Sequence, residues 1–496
     1  AKLAFQQAID IARSDAGLYE LEAERNLKLM EIMFDTGESP EATSEQALAA
    51  CDKALIVNPE NSSTHITKAK IYHTLGLYQI RLGQDPVAFD KTIVMAQKAI
   101  DLNEQKAKSQ KTNITGELAG IPYAYLGAAY YRKASQEMTL GQDPRPTLEK
   151  ALATYNTALK QNLSYDFIYK NLGDIYWQKG RYEFSIGLDA INSLNSSIEN
   201  HKKAIELNKT DLFNHNALGN TYEIRGEYDL FCGTNPEKWL NLAVEAYQNA
   251  IAINPNHPYP HNNIGISFRT KARYELAAGL DPTESVKKSV ESFEKGLKLG
   301  PFADGYRFLS EAWLVAAEYN INQNLDATES LKNARLACEE GINRNKNNPE
   351  LYLRLAEVDT LTARNLIIKN FSPKDSFQQA KNNFQKALEL NNESAEIYLK
   401  LAECFYHEIS WKKEKKENIA LEVQKAIELL TKAQQFNDKL LEAKALKSII
   451  LSLKAEFDIS KEVVLLESKT LFEEAIEKNP LLKYKYQTLV KSKSSS

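Results

Sequence analysis

Residues 82–86 read LGQDP, and residues 140–144 read LGQDP again. A Gly followed two residues later by Asp-Pro has two readings. It is a loop that lets a ligand approach, or it is the stop of one helix and the start of the next. The rest of the chain decides, because related stretches recur: TGESP at 36–40, IGLDA at 186–190, CGTNP at 232–236, AGLDP at 278–282, NLDA at 324–327 and NFSP at 370–373. The Gly or its equivalent stands at 37, 83, 141, 187, 233, 279, 324 and 370, a spacing of 45 or 46 residues at every step except 83 to 141. A fixed period of this size marks stacked structural repeats. Gly tolerates the left-handed residue that ends a helix. Asp accepts a backbone N–H at the start of the next helix, and Pro86 and Pro144 fit the first helical position, where a missing N–H costs nothing. The stretch predicts a hinge between two helices.

A second marker runs in phase with the first. An Ala-(Leu/Ile)-x-x-Asn pattern joins Ala54 to Asn58, Ala99 to Asn103, Ala158 to Asn162, Ala204 to Asn208, Ala250 to Asn254, Ala387 to Asn391 and Ala475 to Asn479. The long step is explained by extra polar residues in EQKAKSQKTNITGELAGIP (104–122), which reads as a loop insertion between neighbouring repeats. Inside one unit the apolar period is helical. Phe167, Ile168, Leu172, Ile175 and Tyr176 form one apolar face, and Leu194, Ile198, Ala204, Ile205 and Leu207 the next. A single pair of such helices has too little core to fold alone, so units must stack.

Bulk properties agree. Gly and Pro are scarce in the 496 residues, and no apolar run is long enough to span a bilayer. The 62 basic and 66 acidic residues give a net charge of −4, which argues against a dedicated nucleic-acid binder. Cys51, Cys232, Cys338 and Cys404 are far apart, with no Cys-x-x-Cys pair, so neither a zinc site nor a disulfide framework is expected. A reduced, cytoplasmic setting fits.

The recurring residues resemble the tetratricopeptide repeat (TPR). Its first helix carries Leu-Gly and then an aromatic, here Leu126-Gly127…Tyr130, Leu172-Gly173…Tyr176, Leu218-Gly219…Tyr222 and Ile264-Gly265…Phe268. Its second helix carries a small residue, an aromatic and an Ala, here Ala151-Tyr155-Ala158, Ala243-Tyr247-Ala250 and Ala380-Phe384-Ala387. Asn58-Pro59, Asn254-Pro255 and Asn479-Pro480 close units as the family does. The resemblance covers essentially the whole chain. It implies an all-α fold: a single continuous, right-handed superhelical α-solenoid of about ten helix-turn-helix TPR-like repeats over 1–496. The usual period of the family is 34 residues, so the extra length predicts helices extended by roughly one to two turns. Ala1, Phe5 and Ala8 match the columns of a second helix, so 1–12 reads as the end of a truncated repeat, and 480–496 as a capping helix and polar tail.

The string GQDPRPTLEKALATYNTALK (141–160) is also similar to long-period repeats that follow the catalytic domain in some bacterial eukaryotic-like Ser/Thr protein kinases. The residues that carry this are Gly141, Asp143, Pro144, Leu148, Ala151 and Ala158. The chain itself has no G-x-G-x-x-G, H-R-D or D-F-G. The likeness implies a regulatory or docking region of a signalling enzyme whose catalytic domain lies upstream of Ala1.

In the TPR family the first helices line a concave groove. At i, i+4, i+7 spacing their faces here read Lys170-Asp174-Trp177, Asn216-Asn220-Glu223, Asn262-Ile266-Arg269 and Arg307-Glu311-Leu314, flanked by Asn171 and Asn263. Asn both donates and accepts, which suits the backbone of an extended peptide. Arg269 and Lys170 suit a carboxylate, and Trp177 an apolar anchor; Arg307 counts among the groove residues. The alternative is a solvated helix face. His257 and His261 are four apart, but NPNHPYPH (254–261) reads as a turn between repeats and offers no third metal ligand. SWKKEKKEN (410–418), with Lys412, Lys413, Lys415 and Lys416, occupies a hinge slot and reads as a solvated turn. No nucleophile elbow, phosphate loop or H-E-x-x-H is present. The expected function is therefore non-catalytic, without cofactor or metal: a scaffold that takes a protein or peptide in its groove, with no nucleic-acid or membrane partner.

Overall fold

The computed structural model describes residues 15–483 apart from 37, 83, 111–115, 162–164 and 457–460. Among these residues there are twenty helices and no strand. They group into two compact units, Ala1–Lys209 and Thr210–Ser496. Each unit is described by itself.

The first unit holds α1 (Ala16–Thr36), α2 (Glu41–Val57), α3 (Ser62–Arg81), α4 (Ala88–Gln110), α5 (Glu117–Thr139), α6 (Arg145–Lys160), α7 (Asp166–Ser185) and α8 (Ile191–Leu207). The second holds α9 (Leu212–Phe231), α10 (Glu237–Ile253), α11 (Pro258–Ala277), α12 (Thr283–Leu299), α13 (Ala303–Asn322), α14 (Thr328–Arg344), α15 (Pro349–Ile368), α16 (Lys374–Leu390), α17 (Ala395–Glu414), α18 (Ala420–Phe436), α19 (Leu441–Lys454) and α20 (Lys461–Lys478). In both units each odd-numbered helix packs against the even-numbered helix that follows it, and also against the next odd-numbered helix of its unit. Even-numbered helices do not touch one another among the described residues. Rows that touch on one side and splay on the other must curve, so the odd-numbered, first helices of the pairs form the inner face of each unit. Each unit is thus an all-α solenoid of helix pairs.

The hinges are built as the sequence reading requires. Gly141, Gly187, Gly233 and Gly279 have φ of 70, 68, 72 and 75°. Where Gly is absent, Asn324, Asn370 and Lys416 take the same left-handed conformation at 56, 60 and 57°. The Gln142 N–H reaches back to the Glu137 carbonyl at 2.8 Å, closing the end of α5. Two residues after the left-handed residues 141, 187, 233, 279, 324 and 416 an Asp or Asn caps the next helix; after Asn370 the residue is Ser372. Asp143 accepts from the Arg145 N–H at 3.0 Å, Asp189 from Ile191, Asp281 from Thr283 and Asp326 from Thr328 at 2.9 Å. At the first LGQDP copy the Asp85 carboxylate instead accepts from the Gln136 amide of the neighbouring pair at 2.6 Å. We predict that D143A lowers stability in urea unfolding by about 1 kcal/mol, the usual value of an N-cap, and leaves ligand capture unchanged.

Within a pair, a missing side chain on the first helix receives a ring from the second. A Cβ on Gly76 would strike Phe89, on Gly127 Tyr155, on Gly219 Tyr247 and on Gly265 Phe293. Tyr155, Tyr247 and Phe293 are fully buried. Ala151, Ala158, Ala243 and Ala250 are buried beside them, so small residues set the close approach and rings fill the space it leaves. In the pair α7–α8 the ring slot over Gly173 is filled by His201, also fully buried.

Three expectations change. The proposed loop over 104–122 is helix at both ends: α4 runs on to Gln110 and α5 begins at Glu117. Residues 104–110, EQKAKSQ, are mostly good helix formers and simply continue α4. Phe167 and Leu207 lie at helix ends and are exposed rather than part of the apolar face. In 410–418 the first lysines belong to α17: Lys412 pairs with Glu422 at 2.8 Å and Lys413 with Glu456 at 2.5 Å, and only 415–418 form the turn. The reading of 1–12 as a second helix, and all but the first four residues of the cap and tail read over 480–496, lie outside the described residues.

Candidate functional site

The candidate residues fall on α7 in the first unit and on α9, α11 and α13 in the second. On α9 and α11 the structure brings three asparagines together. The Asn263 amide nitrogen donates to Asn216 and to Asn220, both at 3.0 Å. Asn220 also accepts from the Tyr247 hydroxyl at 2.9 Å, and Tyr247 reaches Glu223 at 3.0 Å. Burial raises the Tyr247 hydroxyl well above its usual range, and the neighbouring Glu223 raises it further, so it stays a donor. The amide nitrogens of Asn216 and Asn220 and the carbonyl of Asn263 make no further hydrogen bond to a described residue. All three side chains are half-buried. Two donors and one acceptor therefore line the inner face between adjacent first helices, held in place by a buried tyrosine.

Asn262 does not join them. It is buried against Gly296 of α12 and donates to the Pro258 carbonyl at 3.0 Å. A single residue of offset rotates a side chain by about 100° around a helix, and that rotation puts Asn263 on the inner face and Asn262 inside the pair. Ile266 is half-buried and Leu314 is buried.

Arg269 and Arg307 are not open anion-binding groups. Arg269 is buried, pairs with Glu311, lies 3.8 Å from Glu227 and stacks over Phe308 at 4.9 Å. Arg307 lies on the same Phe308 ring at 3.9 Å and reaches Glu311 at 2.8 Å. A third guanidinium, Arg354 of α15, meets Glu311 at 3.1 Å. Arg354 also contacts Glu350 at 3.3 Å, Glu357 at 2.5 Å and Glu396 of α17 at 2.6 Å. Lys400 continues the row to Glu357 at 3.4 Å and Glu403 at 2.9 Å. Burial by itself would raise Glu311, but Arg269, Arg354 and Arg307 outweigh it and hold it at about 2. The charges of this face are spent on one another across α11, α13, α15 and α17. A sequence signal for this ladder exists: Glu311, Glu357 and Glu403, and likewise Arg354 and Lys400, recur 46 residues apart in phase with the repeat, with Arg307 one residue out of that phase.

On α7, Lys170 pairs with Asp174 at 2.7 Å. The Trp177 ring is covered by Arg181 at 4.6 Å and its buried Nε1 has no partner, so it is not an open apolar anchor. Asn171 is half-buried beside them. Beneath them the Asp174 carboxylate lies 3.7 Å from Nε2 of His201, and Ser197 donates to the Gly173 carbonyl at 2.8 Å. Burial pushes His201 down to about 4, against the opposing pull of Asp174, so the ring is neutral.

His257 packs edge-on against Phe213 at 5.5 Å and Tyr259 at 5.0 Å, and His261 contacts the Pro255 carbonyl at 2.9 Å, so both serve the turn before α11. Cys51, Cys338 and Cys404 are buried, and burial raises each thiol to about 12. Among the described residues no helix is long and apolar enough to cross a membrane.

The chain is an all-α helical repeat protein. No family model and no curated protein matches it. Among solved structures, a tetratricopeptide repeat protein from Parabacteroides merdae is similar at 12% identity, with 66% of this chain and 98% of that chain covered and a TM-score of 0.41. A thermophilic TPR protein of Thermus thermophilus is similar at 20% identity over 49% of this chain and 99% of that one, with a TM-score of 0.34. The human IFIT1 dimer with m7Gppp-AAAA is similar at 14% identity over 93% and 90%, with a TM-score of 0.38. Likeness at this level carries no functional argument.

Proposed function

We propose that the chain is a non-catalytic scaffold of long TPR-like repeats that binds a protein or peptide segment on the inner face of its first helices. The observation that carries this reading is the asparagine cluster on α9 and α11. Its unused amide donors at Asn216 and Asn220 and unused carbonyl at Asn263 match the alternating acceptor and donor of an extended peptide backbone. The ladder of Arg269, Glu311 and Arg354 supports the shape of this face rather than capturing a charged ligand, since its groups are already paired. The alternative, a docking region of a larger Ser/Thr protein kinase, gains no support from any of the comparisons.

The test is a peptide selected from a random library on the purified chain. The triple variant N216A/N220A/N263A is expected to lose at least tenfold in affinity for it, about 1.4 kcal/mol, while its melting temperature stays within a few degrees of the parent. Undiminished affinity in the triple variant overturns the assignment of this face.

A further inference from the structure

The first helices of the first unit carry a different charge pattern from those of the second. Eight lysines and arginines lie on α3, α5 and α7. Lys68, Lys133, Lys170 and Lys179 each hold a carboxylate at 2.5–2.8 Å, and Arg81 holds the Phe34 carbonyl. The other three, Lys70, Arg132 and Arg181, make no ion pair or hydrogen bond among the described residues. Each lies over an aromatic ring instead: Lys70 over Tyr125 at 6.0 Å, Arg132 over Tyr131 at 5.4 Å and Arg181 over Trp177 at 4.6 Å. His73 meets the same Tyr125 edge-on at 5.5 Å. His73, Tyr131 and Trp177 are 58 and 46 residues apart, the spacing of the hinges at 83, 141 and 187, so they form one aromatic column across the three helices. Burial raises the Tyr131 hydroxyl and Asp174 adds to this, whereas Arg132 and Arg181 both pull against it, so the two guanidiniums bear on one ring. α3 has no acidic residue, and Asp174 of α7 is held by Lys170. In the second unit, by contrast, Arg269, Arg307 and Arg354 all meet Glu311.

We propose that the inner face of α3, α5 and α7 is a second binding site, and that it takes an acidic segment of a partner protein whose Asp and Glu carboxylates pair with Lys70, Arg132 and Arg181. A cation seated on a ring is held there by the ring, and its N–H groups stay free at the rim for an oxyanion. The same seating occupies the ring faces, which are then closed to the stacked bases that a single-stranded nucleic acid would bring. Packed helices lie roughly 8–10 Å apart, so three of them span roughly 20 Å, the reach of about six extended residues. The site shares with the proposed function the reading of the first helices as an inner face. It shares no residue with the asparagine cluster of the second unit, so either site can fail alone.

The test uses the full chain and a fluorescein-labelled oligoglutamate of about ten residues, with oligoglutamine and oligouridine of like length beside it. Anisotropy is expected to rise with oligoglutamate and to stay flat with the other two. K70Q/R132Q/R181Q is expected to lose about tenfold or more in affinity. K98Q/K150Q/K202Q removes the same charge from exposed positions of α4, α6 and α8 and is expected to bind as the parent does, as is N216A/N220A/N263A. Arg181 is exposed, so R181Q alone tests the site even if the triple variant loses helicity, and a loss of about threefold is expected. Absence of oligoglutamate binding, equal losses in the two charge-removing triple variants, unchanged affinity in R181Q, or preference for oligouridine overturns the proposal.

Discussion

R354M is expected to destabilise the second unit by about 3–5 kcal/mol, the range for removing one partner from a buried ion pair. Arg354 is the point at which carboxylates from three first helices converge: Glu311 of α13, Glu350 and Glu357 of α15, and Glu396 of α17. Its side chain is only 10% exposed, so screening by water is limited. Met replaces the stem but not the charge, leaving Glu311 with Arg269 and Arg307 and bringing Glu350 and Glu396 into unrelieved repulsion. Burial and Glu396 already raise Glu350 with the arginine present. The pH dependence separates this account from a simple packing defect. Glu311 is depressed from 4.5 to about 2, so its contribution is complete above about pH 4.5 and is lost as pH falls toward 2. The gap between parent and R354M in denaturant unfolding should therefore narrow below pH 4. A gap that stays constant through that range contradicts the electrostatic origin.

H201F is expected to remove much of the acid sensitivity of the first unit. His201 fills the slot over Gly173 that Tyr155, Tyr247 and Phe293 fill over their own glycines. Phe therefore fits a space already shaped for a ring. The charged and titratable groups that bear on His201 are Asp174 and Lys170 of α7; burial outweighs the upward pull of Asp174, and Lys170 lowers the ring further. The folded value is about 4 against an ordinary 6.5. Above pH 6.5 the imidazole is neutral folded or unfolded, and nothing depends on pH. Between 6.5 and 4 the unfolded chain takes up a proton that the folded chain refuses, so stability falls as pH falls, by on the order of 3 kcal/mol in all. Hydrogen exchange of α7 and α8 at pH 7.5 and pH 4.5 reads this directly. The parent should lose protection at the lower pH and H201F should keep it. His73 is also lowered to about 4, mainly by burial and then by Arg132, so some acid sensitivity remains in α3. Equal loss of protection in parent and H201F contradicts the role given to His201.

Much of the fold was legible because two kinds of residue report backbone geometry directly. Glycines at the hinges mark left-handed residues, and the Asp or Asn after them marks the next helix start. The glycine of each Leu-Gly pair marks where a ring from the second helix must enter. The site was less legible. Periodicity gives the spacing of a face but not its rotation to within one residue, which is why Asn262 and Asn263 looked equivalent and are not. It also says nothing about partners on the next repeat. Arg269 read as a free cation because Glu311 lies 42 residues away in sequence, although the two meet in space. The 104–122 segment misled for a different reason: extra length was taken as loop, where helix-forming residues extended α4 instead.

Ligand binding on the inner face of the first helices is tested most directly by placing a photoreactive group in a library-selected peptide and mapping the crosslinks by mass spectrometry. Crosslinks are expected on α9 and α11 around Asn216, Asn220 and Asn263. Crosslinks confined to even-numbered helices or to the hinges would contradict binding on that face.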